Sequence, residues 1–81
     1  MKTDPTRKRI LAHISRITGQ KHIDIDRTFK EYSIDSITSL ELLMDLEREF
    51  NISIPEEKME SLVTPRAVIE LVETLLALHA S

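Results

Sequence analysis

Residues 36–50 read Ser36-Ile37-Thr38-Ser39-Leu40-Glu41-Leu42-Leu43-Met44-Asp45-Leu46-Glu47-Arg48-Glu49-Phe50, a run without glycine or proline. At about 100° per residue, Leu42, Leu43, Leu46 and Phe50 fall within about 60° of the direction of Ser39, the width of a core-facing helical stripe. Ile37, Leu40 and Met44 form a second, narrower apolar stripe on another face, edged by Glu41, Glu47 and Arg48. The spacing predicts a helix over about 36–50 that starts at the Asp35-Ser36 junction, since Asp and Ser are favoured helix caps.

Outward from this helix, the flanking segments carry their own start and stop signals. Asp4 as N-cap, Pro5 at the first helical position, apolar residues Ile10, Leu11, Ile14 and Ile17, and Gly19 as a left-handed C-cap predict a helix over about 5–18. Between them, residues 19–34 have no steady period, and a connection that long is usually functional or pinned by its own apolar side chains. Phe29 and Ile25 are the expected pins. Downstream, Asn51–Ile54 reads as a short extended piece and residues 56–61 as a short helix. Thr64 and Pro65 then start a last helix over about 65–78, with Val68, Leu71, Val72, Leu75 and Leu76 on one face. The expected fold is all-α, three main helices plus one short helix in an antiparallel four-helix bundle forming a single domain, with only the ends (1–3 and 79–81) free to fray.

Composition agrees with that class and excludes others. One glycine among 81 residues argues against hairpin-rich sheet architectures. The absence of cysteine excludes a disulfide framework, a thiolate metal site and a cysteine nucleophile, and makes a reducing, cytoplasmic setting the expectation. No window approaches the roughly 18 apolar residues of a membrane span, and no long apolar run follows Arg7-Lys8-Arg9 to make a signal peptide, so a soluble protein free of membranes is expected; a monomer is expected as well.

The net charge of −3 conceals an asymmetry. Residues 1–30 carry eight basic and three acidic groups, and residues 31–81 carry three basic and eleven acidic. The acidic half, including Glu41, Asp45, Glu47 and Glu49 on the second helix, attracts basic partners and repels phosphate, which argues against nucleic-acid binding through that helix. Conventional catalytic and metal sites find no support. His13, His22 and His79 are widely separated, with no second ligand at metal-binding spacing. Asp24-Ile25-Asp26 resembles the opening of a calcium loop, but Phe29 stands where the tight turn needs glycine.

Ile34-Asp35-Ser36-Ile37 remains. A serine at the first helical position projects its hydroxyl beside unpaired backbone N–H groups at the positive end of the helix dipole, an environment that favours a phosphate ester by about 0.3–1 kcal/mol. Ser36 is therefore suited to being modified rather than to attacking, because a nucleophile needs a nearby base and no histidine is close in sequence. The plainest alternative is that Asp35-Ser36 is only a cap, in a helical protein-interaction module.

The run Tyr32-Ser33-Ile34-Asp35-Ser36-Ile37-Thr38-Ser39-Leu40-Glu41-Leu42 resembles the phosphopantetheine attachment site of acyl carrier proteins, whose usual form is Leu-Gly-x-Asp-Ser-Leu followed by x-x-Val-Glu-Leu. The likeness continues through Leu46–Phe50 and Ile54-Pro55 to Thr64-Pro65. The resemblance implies an acyl-carrier-protein-like bundle that is not an enzyme. In it, Ser36 receives 4′-phosphopantetheine from coenzyme A through a phosphopantetheinyl transferase, and the added thiol carries acyl or polyketide intermediates as thioesters. It further implies that Asp35 orients the attachment site for the transferase and its magnesium. Ile37, Leu40 and Met44 would dock partner enzymes such as ketosynthases, acyltransferases or ligases, with Glu41, Asp45 and Glu47 meeting their basic patches. A peptidyl or aminoacyl carrier has the same arm and is the nearest alternative, and the Ile-Asp-Ser-Ile-Thr-Ser form looks closer to polyketide-type carriers than to the fatty-acid one. Three positions depart from the family pattern. Ser33 replaces the usual glycine, at a cost of roughly 1–2 kcal/mol if the backbone there is left-handed. Ile37 replaces leucine, and Arg48 reverses a charge on the partner face.

Overall fold

The structure is a computed structural model in which residues 5–80 are described, the side chains of His79 and Ala80 excepted. Four helices follow one another: α1 (Pro5–Thr18), α2 (Ser36–Phe50), α3 (Glu56–Met59) and α4 (Pro65–Ala80). Among the described residues there is no strand, and no helix is long and apolar enough to cross a membrane. The bundle is organised around α1, which packs against both α2 and α4.

Each helix contributes the stripe its periodicity dictates. Ile10 and Ile14 of α1, Leu42, Leu43 and Leu46 of α2, and Val68, Ile69 and Val72 of α4 are buried together, closed at the edges by Phe29, Ile52, Ile54 and Leu62. Burial of such side chains stabilises by about 1.5–3 kcal/mol each. Phe50 and the outer positions Leu71, Leu75 and Leu76 pack against this core half-buried.

The boundaries follow local chemistry. The helix α1 ends at Gly19, whose φ of 72° is the left-handed conformation a C-cap needs, with its N–H donating to the Ser15 carbonyl. The cap expected from Asp4 lies outside the described residues, as do residues 1–3. Asn51, with φ 55°, closes α2 by donating its N–H to the Glu47 carbonyl. The short helix is shorter than the expected 56–61, because Ser61 and Leu62 turn back onto the Lys58 and Met59 carbonyls. Thr64 Oγ1 accepts from the Ala67 N–H at the start of α4. That helix runs past the expected end near Leu78 to Ala80, as nothing in Leu78-His79-Ala80 removes a donor or favours a left-handed turn.

The long α1–α2 connection is tied to α4 by backbone as well as by side chains. The Phe29 N–H donates to the Val63 carbonyl, the Arg66 N–H to the Ile25 carbonyl, and the Arg66 guanidinium takes both Asp26 carboxylate oxygens at 2.6 and 3.1 Å. Within it, Thr28 and Glu31 cap each other reciprocally, the Thr28 N–H donating to Glu31 Oε1 and the Glu31 N–H to Thr28 Oγ1. A second tie joins α1 to the far end of α2, where Glu49 takes His13 Nε2 at 2.5 Å and Arg9 Nε at 2.8 Å. Arg9 also lies over the Phe50 ring, 5.4 Å from its centroid.

Ser33 has φ 64° and has no glycine's freedom to adopt it. Ser33→Gly should therefore stabilise the protein by about 0.5–1 kcal/mol, read as a melting temperature raised by roughly 2–8 °C; an unchanged or lower melt would show that the position is unstrained.

The hydrogen bond from Arg66 holds the Asp26 carboxyl below the usual range, and the one from His13 does the same for Glu49. Folded carboxylates with lowered pKa values contribute stability above the ordinary carboxylate range of about 4, and this is lost as pH falls through the folded values. Denaturant midpoints should accordingly drop on going from neutral pH towards pH ~3, and Glu49→Gln should shrink that drop; an equal drop in the variant would remove the tie from the account.

Candidate functional site

The start of α2 is built by Asp35. Its backbone is extended (φ −81°, ψ 173°) while its carboxylate turns back to accept the Thr38 N–H at 2.8 Å. Hydrogen bonding from Thr38 holds the Asp35 carboxyl below the usual carboxylate range, so the group is an anion committed to the cap. Ser36 is the first helical residue and is exposed. The N–H groups of Ser36 and Ile37 have no partner among the described residues, as expected in a first turn. The hydroxyl thus emerges at a positive helix end beside free donors. His13 is engaged by Glu49 near the opposite end of α2, roughly 20 Å along the helix at 1.5 Å per residue.

Beside Ser36 opens a cleft of about 560 Å³ between the long connection, the first turns of α2 and the α3 region. Its lining is mostly apolar, including Phe29, Ile34, Leu43, Met59 and Leu62, and its charged groups are Lys30, Asp35 and Glu60. Leu40 belongs to this cleft as well as to the outward stripe.

The outward stripe is exposed: Ile37 by 68%, Leu40 by 44% and Met44 by 48%. Its charged border differs in detail from what residue types alone imply. Glu41 is exposed and forms no ion pair with a described residue. Asp45 is paired with Arg48 at 2.9 Å, so the reversed charge at position 48 offsets an acid on its own helix. Glu47 is half-buried, its Oε2 accepting the Ile54 N–H at 2.7 Å, which spends one carboxylate oxygen on closing the α2–α3 connection. Met44, Glu47 and Arg48 also border a separate shallow hollow with Asn51, Ile52 and Ser53.

Two contributors carry no sequence signal. Lys30 reaches the cleft through the turn at residues 28–32, and Val63, exposed by 53%, adds apolar surface to its rim. Neither belongs to a periodic pattern.

Residues 8–72 match the family described as the phosphopantetheine attachment site. An acyl carrier protein of Exiguobacterium sibiricum is 33% identical over 76 residues, covering 85% of this chain and 96% of that protein. An acyl carrier protein of Thermosynechococcus vestitus is 31% identical over 70 residues, covering 86% of each. The crystal structure of an acyl carrier protein from Thermotoga maritima superposes with a TM-score of 0.76 at 29% identity, covering 89% of this chain and 92% of that one. With the capped serine, the helical order and these relatives together, the chain belongs to the acyl carrier protein family, carriers of covalent 4′-phosphopantetheine rather than catalysts.

Proposed function

We propose that Ser36 is the residue that bears the arm, and that the protein holds acyl or polyketide intermediates as thioesters and presents them to partner enzymes in a reducing, cytoplasmic setting. The observation that carries this reading is the exposed Ser36 hydroxyl at the first turn of α2, beside two unpartnered N–H groups. These residues fit a phosphodiester: the donors are free, the helix end is positive, and the nearest carboxylate is already occupied by the Thr38 N–H. The attached group supplies the thiol that the cysteine-free chain lacks. Asp35 serves the transferase by fixing the Ser36 backbone through its cap. The apolar cleft beside Ser36 supports an aliphatic cargo over an aminoacyl one, because an ammonium would gain nothing from that wall.

The stripe of Ile37, Leu40 and Met44 is the anchor for partner enzymes, and Glu41 is the acid best placed to meet a basic patch. A small anchor with a sparse charged rim suits a carrier that must leave each enzyme it visits, since steering raises the rate of encounter without long residence. Asp45 and Arg48 present a pair rather than a single charge, and Glu47 offers its remaining oxygen.

Ser36→Ala should fold, because the cap belongs to Asp35, and should lose all loading. Intact mass after incubation with coenzyme A and a broad-specificity phosphopantetheinyl transferase decides this: the wild type gains one phosphopantetheine and the variant none. A loaded variant would sink the assignment.

Met44→Ala should lower turnover with a partner ketosynthase or ligase while costing less than about 1 kcal/mol of stability, as expected for a half-exposed side chain. The fully buried Leu46→Ala should cost about 2–5 kcal/mol. Equal destabilisation by the two would place Met44 in the core and remove the docking stripe.

A further inference from the structure

Among the charged residues lining the cleft beside Ser36, Lys30 is the cation. It is exposed and makes no side-chain hydrogen bond or ion pair with a described residue. Two of the acids near it are engaged. Asp35 is committed to the Thr38 N–H, and Glu31, its neighbour in sequence, is committed to the Thr28 N–H. Glu60 lines the cleft from beyond α3.

The backbone that carries Lys30 is held on both sides. The Phe29 N–H is bonded to the Val63 carbonyl, the Lys30 carbonyl accepts the Ser33 N–H, and the Thr28–Glu31 box closes the turn. An ammonium on a long aliphatic stem is thereby fixed at the base and free at the tip, against an apolar wall along which the stem can lie. Such a group acts as a mobile point charge for an anion at the cleft mouth. The anion that the chemistry of Ser36 places there is a phosphate ester.

We propose that Lys30 is a positioning residue for the phosphodiester at Ser36, its ammonium pairing with the phosphate oxygens from the cleft side while the Ser36 and Ile37 N–H groups face the same charge from the helix end. This rests on the reading of Ser36 as the attachment residue. It gives the cleft a cation whose role is to set the direction in which the arm leaves the helix. Because Lys30 is exposed, the pairing is screened by salt.

The test uses the full chain loaded with coenzyme A by the transferase, with intact mass confirming loading, followed by phosphorus NMR of the phosphodiester at about 20 mM and about 500 mM salt, a range over which the Debye length falls severalfold. For the wild type, the resonance should move with salt. Lys30→Gln should displace the low-salt resonance towards the wild-type high-salt position and abolish most of the salt response, whereas Lys30→Arg should retain both. A resonance and salt response in Lys30→Gln that coincide with those of the wild type would overturn the role of Lys30 and leave Ser36 as the attachment residue. An unchanged mass of the wild type would instead overturn the reading of Ser36, and the role of Lys30 with it.

Discussion

The bond from the Thr38 N–H to the Asp35 carboxylate determines where the second helix begins, and the rest of the molecule is registered to that point. Successive helical residues are turned by about 100°, so with Leu42, Leu43 and Leu46 packed in the core the directions of the residues from Ser36 onward are fixed relative to it. With Ser36 as the first helical residue, Leu42, Leu43 and Leu46 point into the core, and Ile37, Leu40 and Met44 point away from it. The same bond leaves the Ser36 hydroxyl outside the core and the first-turn donors free. A cap that merely stops fraying elsewhere here also leaves the hydroxyl outside the core, on the same helix whose second apolar stripe is exposed.

That register explains how one helix serves two purposes at once. The buried stripe supplies stability through apolar contact, and the outward stripe supplies little, so substitutions on it cost the fold little. The acids of α2 divide along the same line. Glu49 is turned to Arg9 and His13 and Glu47 to the Ile54 N–H, while Asp45 pairs with Arg48 and Glu41 stays open. A helix that reads as mostly acidic has, in the fold, two of its acids paired with cations, Asp45 within the helix and Glu49 across to α1. Glu41, nearer Ser36, is exposed and has no ion pair with a described residue.

The long connection achieves order without regular structure. Two backbone hydrogen bonds to the segment around the start of α4, the Asp26–Arg66 ion pair and the buried Phe29 ring hold it against the last helix. Ser33 in a left-handed conformation lets the chain turn sharply from the 28–32 turn into the extended Asp35, and the surrounding contacts maintain that strained backbone. The cleft beside Ser36 is a consequence: the connection and α3 meet the first turns of α2 without filling the space between them.

Much of this was legible in the order of residues, because it depends on contacts a few positions apart. Helix periodicity, the Asp35 cap, Gly19 as a left-handed terminator, and Thr64-Pro65 as a start are local and follow from backbone stereochemistry and hydrogen-bonding capacity. The Asp35-Ser36 site belongs to this class, since its chemistry is that of a helix end. Tertiary structure alone decided which acids stay free and that Lys30 and Val63 reach the cleft of Ser36. Glu49 meets His13 across 36 positions of sequence and Arg66 meets Asp26 across 40, distances over which neither period nor propensity carries information. Charge is a property of composition, but whether a charge faces a partner is settled only when the packed core has chosen which side of each helix is turned inward.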